Sequence, residues 1–355
     1  MATIRDPHDI PRRLVKLYLP VETVRRMDAA ILRSGGAYFD RAEFVNEALI
    51  DRLAEEGHGS VESRPIQQDH KSPPLAAVPA LDVEFAPDVA ERTGHFGEWL
   101  SNGSVPTLPP AAGPEANFGL HNRDYPTIWA CDLLGRMTAE AGMPIAWDGF
   151  SEQLLRESWA VGRRLAADDA ESGRPLKAGV GFPTNSAKKE AAERRFLAHA
   201  FGLPTARGNP GPVFVFRWVG VEHADGQPRI ALTPGGLGVL RALAETGEPV
   251  PPFGEAAWRI FVDHLSAHAA GELKAWLSVL ELLREKPNRT ELVERCSAWW
   301  QGNEAATNAM SYVSRGREWG LVEAKLGPDN RYALTERGAA ELDRLNPVLT
   351  EGEAS

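Results

Sequence analysis

One pattern occurs twice in this chain, and it constrains the fold more than any other feature. WVGVEHADGQPRIALTPGGLGVL begins at Trp218, and WGLVEAKLGPDNRYALTERGAAEL begins at Trp319. Both read W-x-x-V-E, then a glycine and an arginine, then A-L-T-x-x-G and a leucine, and they differ by one residue before the arginine. Alternating apolar residues with a central glycine specify a β-hairpin, turned at Gly226 in one copy and Gly327 in the other. Thr233 and Thr335 then stand at the N-cap of a helix. Each copy therefore predicts a hairpin that runs into a helix.

The chain before the second copy reads as three helices. ELKAWLSVLELLREKP is amphipathic and stops at Pro287, NRTELVERCSAWW starts at Asn288 or Thr290, and NEAATNAMSYVSRGREWG follows. Before the first copy, TIWACDLLGRMTAEAG, GFSEQLLRESWAVGRRLAADD and SAKKEAAERRFLAHAFG serve the same role, but LPTARGNPGP separates the last of them from the hairpin. Three helices and a two-stranded wing resemble a winged helix-turn-helix domain. The match covers roughly Glu272–Leu345, with the first copy as a less regular relative.

A different pattern opens the chain. In RRLVKLYLP (Arg12–Pro20), Val15, Leu17 and Leu19 point one way and Lys16 and Tyr18 the other. VETVRRMDAAILRSGG follows as a helix that stops at Gly35–Gly36, and YFDRAEFVNEALIDRLAEEG as a second helix, with Asp40 and Glu43 at capping-box spacing. One strand and two helices, without a disulfide or metal, are too small a unit to fold alone. Two copies that pair their strands antiparallel satisfy both the edges and the core.

This unit resembles the ribbon-helix-helix (MetJ/Arc-type) DNA-binding fold. The resemblance rests on LVKLYLP, the glycine break and YFDRAEFVNEAL, about 45 of 355 residues. It implies a β-ribbon in the major groove, with Lys16 and Tyr18 reaching base edges. Arg12 and Arg13 are candidates for phosphate. So is the start of the second helix at Asp40 and Arg41, although an acidic cap departs from the uncharged cap usual in that family. In the winged-helix region the third helix is the natural reader. With Met310 and Val313 taken as core, Thr307, Asn308, Ser311 and Arg315 are expected outward, while Arg317, and Lys325 with Arg331 on the wing, are candidates for contact with DNA phosphates.

The expected fold class is mainly α with small β elements. The plan is a ribbon-helix-helix domain over 1–56 and a Pro-rich flexible linker over 57–122, which holds nine of the ten prolines between Gly57 and Pro126; around Phe96, Trp99 and Leu100 it reads as a turn in the linker or, alternatively, as a short docking helix. A helical region with a winged-helix-like hairpin follows over 123–247, then a winged-helix-like domain over 248–347 and an acidic tail over 348–355. A net charge of −10 excludes a general polyanion binder, so any DNA contact is local. Cys131 and Cys296 lie too far apart in sequence for a metal cluster or disulfide framework, which fits a reducing cytoplasm and a nucleoid location. His264 and His268 stand at i, i+4 but lack the glutamate of H-E-x-x-H, and GVGFPTNS lacks the G-K-[ST] of a phosphate loop. No enzyme, metal or cofactor is expected. The sequence points to a homodimeric, sequence-specific DNA-binding protein, most simply a repressor or autoregulator, with double-stranded DNA as partner. The C-terminal region is then open to a protein partner. Alternatives are an antitoxin-like or plasmid-maintenance protein, a scaffold that uses the ribbon only to dimerise, and an enzyme hidden in Arg123–Ala270.

Overall fold

The computed structural model describes residues 97–101, 105–116, 122–184, 189–204, 210–247, 250–301 and 303–351. The ribbon-helix-helix assignment over 1–56 lies outside the described residues, with Lys16, Tyr18, Arg12, Arg13, Asp40 and Arg41. The described part is mainly helical, with one small three-stranded antiparallel sheet.

Helix α1 (Tyr125–Ala141) buries Ile128, Cys131, Leu134 and Thr138 along one stripe and ends at Gly142 in the left-handed conformation. Strand β1 (Ile145–Ala146) leads into α2 (Trp147–Ser172), and α3 (Lys189–Phe196) follows. A four-residue helix, α4 (Pro212–Val215), then enters β2 (Val219–Ala224) and β3 (Gln227–Leu232). The sheet order is β1-β3-β2, with Val219 opposite Leu232 and Ile145 opposite Ile230. Asp225 and Gly226 both have positive φ, 54° and 76°, as a two-residue turn between twisted strands requires. Next come α5 (Pro234–Glu245), α6 (Glu255–His268), α7 (Ala270–Leu282), α8 (Arg289–Cys296), α9 (Asn303–Glu318) and α10 (Glu336–Glu351). One contiguous core joins these elements, and Trp218, Trp258, Trp276 and Trp319 are fully buried within it.

The sequence repeat is a repeat of hydrogen bonds. Trp218 N donates to Val213 O at 2.9 Å and Arg217 N to Phe214 O at 3.3 Å; Leu321 N donates to Gly316 O at 2.8 Å and Gly320 N to Arg317 O at 3.1 Å. Both are helix ends with a left-handed residue, Arg217 at φ 59° and Gly320 at φ 64°. Thr233 Oγ1 donates to Arg217 O at 2.7 Å and accepts from Gly236 N at 2.9 Å. Thr335 Oγ1 donates to Gly320 O at 2.7 Å and accepts from Gly338 N at 2.9 Å. A side chain on Gly236 would collide with Trp218 O, and one on Gly338 with Leu321 O. The segment before α8 also lies beside the second hairpin, where Tyr332 N donates to Pro287 O at 2.9 Å, as β1 lies beside β3.

These bonds correct the sequence register at one end. The motif aligns Trp218 with Trp319, whereas the geometry places Leu321 at Trp218's position and Trp319 at Phe216's. The slip is two residues. Strand patterning has period two, so alternation reads the same in either register. Phe216 and Trp319 both pack on Phe261, with ring centroids 5.5 and 4.5 Å away.

The second hairpin also departs from expectation. It is reduced to one bridge, Val322 with Leu334, and turns through Pro328–Asn330 rather than at Gly327, whose φ is −71°. Pro328 has no N–H to continue a ladder, and Asp329 and Asn330 take the positive φ angles. Part of the expected linker is docked. The turn Glu98–Ser101 seats Trp99 against Gly135, where a side chain would overlap the indole, and Trp99 Nε1 donates to Asp132 at 2.7 Å. Residues 105–116 then cross the base of the first hairpin. Leu108 N donates to Leu232 O at 3.0 Å and Ala111 N to Val219 O at 3.3 Å. The crossing is possible because Gly220, paired with Ala231, leaves room; a side chain there would collide with Pro109 O. Arg217 clamps the strap, donating to Ala111 O at 3.2 Å and Gly113 O at 3.3 Å. The acidic tail expected from 348 is helical as far as Glu351.

Candidate functional site

Helix α9 holds four of the residues expected to face outward, and the structure turns three of them inward. Asn308, Ser311 and Arg315 are buried, and Thr307 is half-buried. At i, i+3 and i+7 they form one stripe, so the polar pattern is real, but its partners are protein groups. Arg315 Nε donates to both Asp124 oxygens, at 2.9 and 3.1 Å, and Arg315 Nη1 pairs with Glu272 at the head of α7. Its guanidinium carbon lies 4.2 Å from the centre of the Trp276 ring. Tyr312 OH donates to Glu272 Oε2 at 3.1 Å, and Trp319 Nε1 to Asp124 Oδ2 at 2.6 Å. One buried guanidinium therefore joins three elements that are distant in sequence.

The electrostatics follow from the geometry. Burial opposes the Arg315 charge, but Asp124 and Glu272 outweigh it and hold the guanidinium above its ordinary value. Glu318, one turn on, accepts from Asp124 N and is pushed up to about 8, first by burial. Burial, with Glu272 beside it, raises Tyr312 well above the usual phenol value. A salt bridge of this kind fixes which parts meet more than it adds net stability. The amide of Asn308 and Arg315 Nη2 have no hydrogen-bond partner among the described residues.

The other half of α9 is different. Thr307, Met310, Ser314 and Arg317 form a half-buried stripe on its outer side. Arg317 Nε donates to Glu323 O at 3.0 Å, and its guanidinium carbon lies 5.7 Å from the Tyr332 ring centre. Arg123, just before α1, donates from Nη1 to Ser314 O at 3.5 Å and lies 4.0 Å from Glu318 Oε1. On the hairpin, Lys325 is exposed, and Arg331 is held by Glu291 at 3.1 Å and Lys286 O at 2.9 Å. Trp299 and Leu326 are exposed apolar side chains, 48% and 42% accessible.

His264 is buried with Nε2 2.7 Å from Phe216 O, and burial drives it down to about 4. It is a neutral, packed histidine that donates to that carbonyl, with the His268 ring 4.7 Å away. Among the described residues no group of three His, Cys, Asp or Glu side chains could hold a metal ion. Cys131 and Cys296 are free and buried; burial raises both thiols, Cys296 to about 11. No described helix is long and apolar enough to cross a membrane. Sequence reasoning missed Arg123, Asp124, Glu272 and Glu318. The available signal was an aspartate immediately before a Tyr-Pro helix start, a position that also suits an ordinary cap. The chain matches no protein-family model, and neither a curated protein nor a solved structure matches it.

Proposed function

We propose that this chain is a homodimeric, sequence-specific DNA-binding protein, a repressor or autoregulator that reads the major groove with a paired N-terminal ribbon. The observation that carries the reading is the alternation in Arg12–Pro20, with apolar Val15, Leu17 and Leu19 opposite Lys16 and Tyr18, followed by two helical sequence patterns. Lys16 and Tyr18 are the base readers; Arg12, Arg13, Arg41 and the helix start at Asp40 meet phosphates. The C-terminal body is two winged-helix-like units, a reading supported by the repeated order helix, strand segment, helix, helix, hairpin, helix. Its α9 does not offer Asn308, Ser311 or Arg315 to DNA, because all three are buried. Base reading therefore falls to the ribbon, and Thr307, Lys325 and Arg331 contribute at most to backbone contact. The test compares full-length protein with the Lys16→Ala/Tyr18→Ala variant on selected and random duplexes. Equal loss on both would remove the reading.

A second reading is a dimeric scaffold or antitoxin-like protein whose body binds another protein. Exposed Trp299 favours it, since tryptophan is enriched among the side chains that anchor protein interfaces.

A further inference from the structure

Two sheltered arginines of the body have little close counter-charge among the described residues. Arg317 is half-buried, its Nε is used by a backbone carbonyl, and it has no ion pair among the described residues. Arg123 is also sheltered, with a side chain 12% accessible. Its one carboxylate neighbour, Glu318 at 4.0 Å, also accepts from Asp124 N. Arg123 donates to the Ser314 carbonyl, and Arg317 stands one turn further along the same half-buried stripe of α9. Sheltering a cation without a close counter-charge is costly unless a ligand supplies one.

The electrostatics run the same way. Burial and the neighbouring Arg123 both pull Arg317 below the ordinary arginine value, against the Tyr332 ring. Burial pushes Glu318 up to about 8 against the pull of Arg123, which weakens the counter-charge beside that arginine. The positions are also fixed. Arg123 is tethered to the head of α1, where Asp124 is locked to Arg315, and a side chain added at Gly181 would meet the Arg123 stem. Tyr332 and Glu323 O hold Arg317. Two pre-positioned planar forks suit the oxygens of a phosphoryl group.

We propose that Arg123 and Arg317, beside Ser314, form a binding site for a phosphate group. The group comes from one of two sources, a nucleic-acid backbone or a free phosphorylated molecule. The site does not depend on the ribbon's reading DNA.

The test uses full-length protein and inorganic phosphate, titrated calorimetrically against chloride at constant ionic strength. Wild type shows saturable binding. Arg317→Gln weakens it about tenfold, the value of one charge-assisted hydrogen bond. Arg284→Gln, which disturbs a cation already paired with Glu281 and Asp343, leaves it unchanged. Ser314→Glu places a resident carboxylate between the two arginines and abolishes binding without lowering the unliganded melting temperature; this variant decides the matter if Arg317→Gln is unstable. Absence of saturable binding by wild type, or unchanged binding by Ser314→Glu, overturns the proposal. Random duplex DNA then identifies the source, measured in the Lys16→Ala/Tyr18→Ala background. If Ser314→Glu weakens duplex binding and reduces the salt slope by about one, the phosphate is nucleic acid. If duplex binding is unaffected while phosphate binding is lost, the ligand is a free phosphorylated molecule.

Discussion

Replacing Arg315 with methionine tests the buried ion network. Methionine approximates the length of the side chain and keeps the contact with Trp276, so the loss is mainly electrostatic. Wild type satisfies Asp124 with two Arg315 contacts and a Trp319 bond, and Glu272 with Arg315 and Tyr312. The variant leaves two fully buried carboxylates without their cation. Breaking a buried pair on one side costs about 3–5 kcal/mol. The triple variant Asp124→Asn/Glu272→Gln/Arg315→Met removes the orphaned charges, and most of the loss returns. Urea unfolding followed by tryptophan fluorescence reads this, because Trp276 and Trp319 both touch the network. At pH 5 the single variant recovers part of its loss, since an orphaned buried carboxylate takes up a proton. If Arg315→Met costs less than about 1 kcal/mol, or if the triple variant is no better than the single, the network does not organise the body.

Glu318 gives the protein a pH dependence of defined sign. Between about 4.5 and about 8 the folded protein holds a proton that the unfolded chain has released, so stability falls as pH rises across that window; Glu318→Gln flattens the trend in denaturation curves taken from pH 5 to 9. The strap is held by Arg217, so Arg217→Gly, which tolerates the left-handed backbone as Gly320 does, speeds amide exchange at Ala111 and leaves the Thr233 cap protected; unchanged exchange would show that the clamp is incidental. Thr233→Val and Thr335→Val remove equivalent caps, so each lowers stability by about 1 kcal/mol in thermal unfolding, and a large difference between them would contradict the repeat.

Thr233, Thr335 and Gly226 were legible in the sequence because caps and tight turns are local: one residue type meets one backbone requirement. The two-residue register slip at Trp319 was not, because a shift of two preserves every inside–outside assignment in a strand. Asn308, Ser311 and Arg315 read as an outward, DNA-facing side for a related reason. Helical periodicity shows that they share a side but not what covers it, and Asp124 lies 191 residues from Arg315. The strap was read as a linker because proline content reports the absence of helix and strand. Its docking depends on the space left by Gly220 and Ala231, which appears only once the hairpin forms. The proposed phosphate site joins Arg317, which the sequence marked as a phosphate candidate, to Arg123, which it did not: the two are far apart in the chain, and composition recorded only a net charge of −10.

The most direct test of the account is where base reading resides. Full-length protein is titrated onto a selected operator and onto random duplex over a salt series, beside the variants Lys16→Ala/Tyr18→Ala and Thr307→Ala/Lys325→Ala/Arg331→Ala. The account predicts that the first variant loses roughly 1–3 kcal/mol per site on the operator, with little change on random DNA. The second keeps the preference between the two duplexes. Equal weakening of both duplexes by the first variant, or loss of preference only in the second, would contradict it.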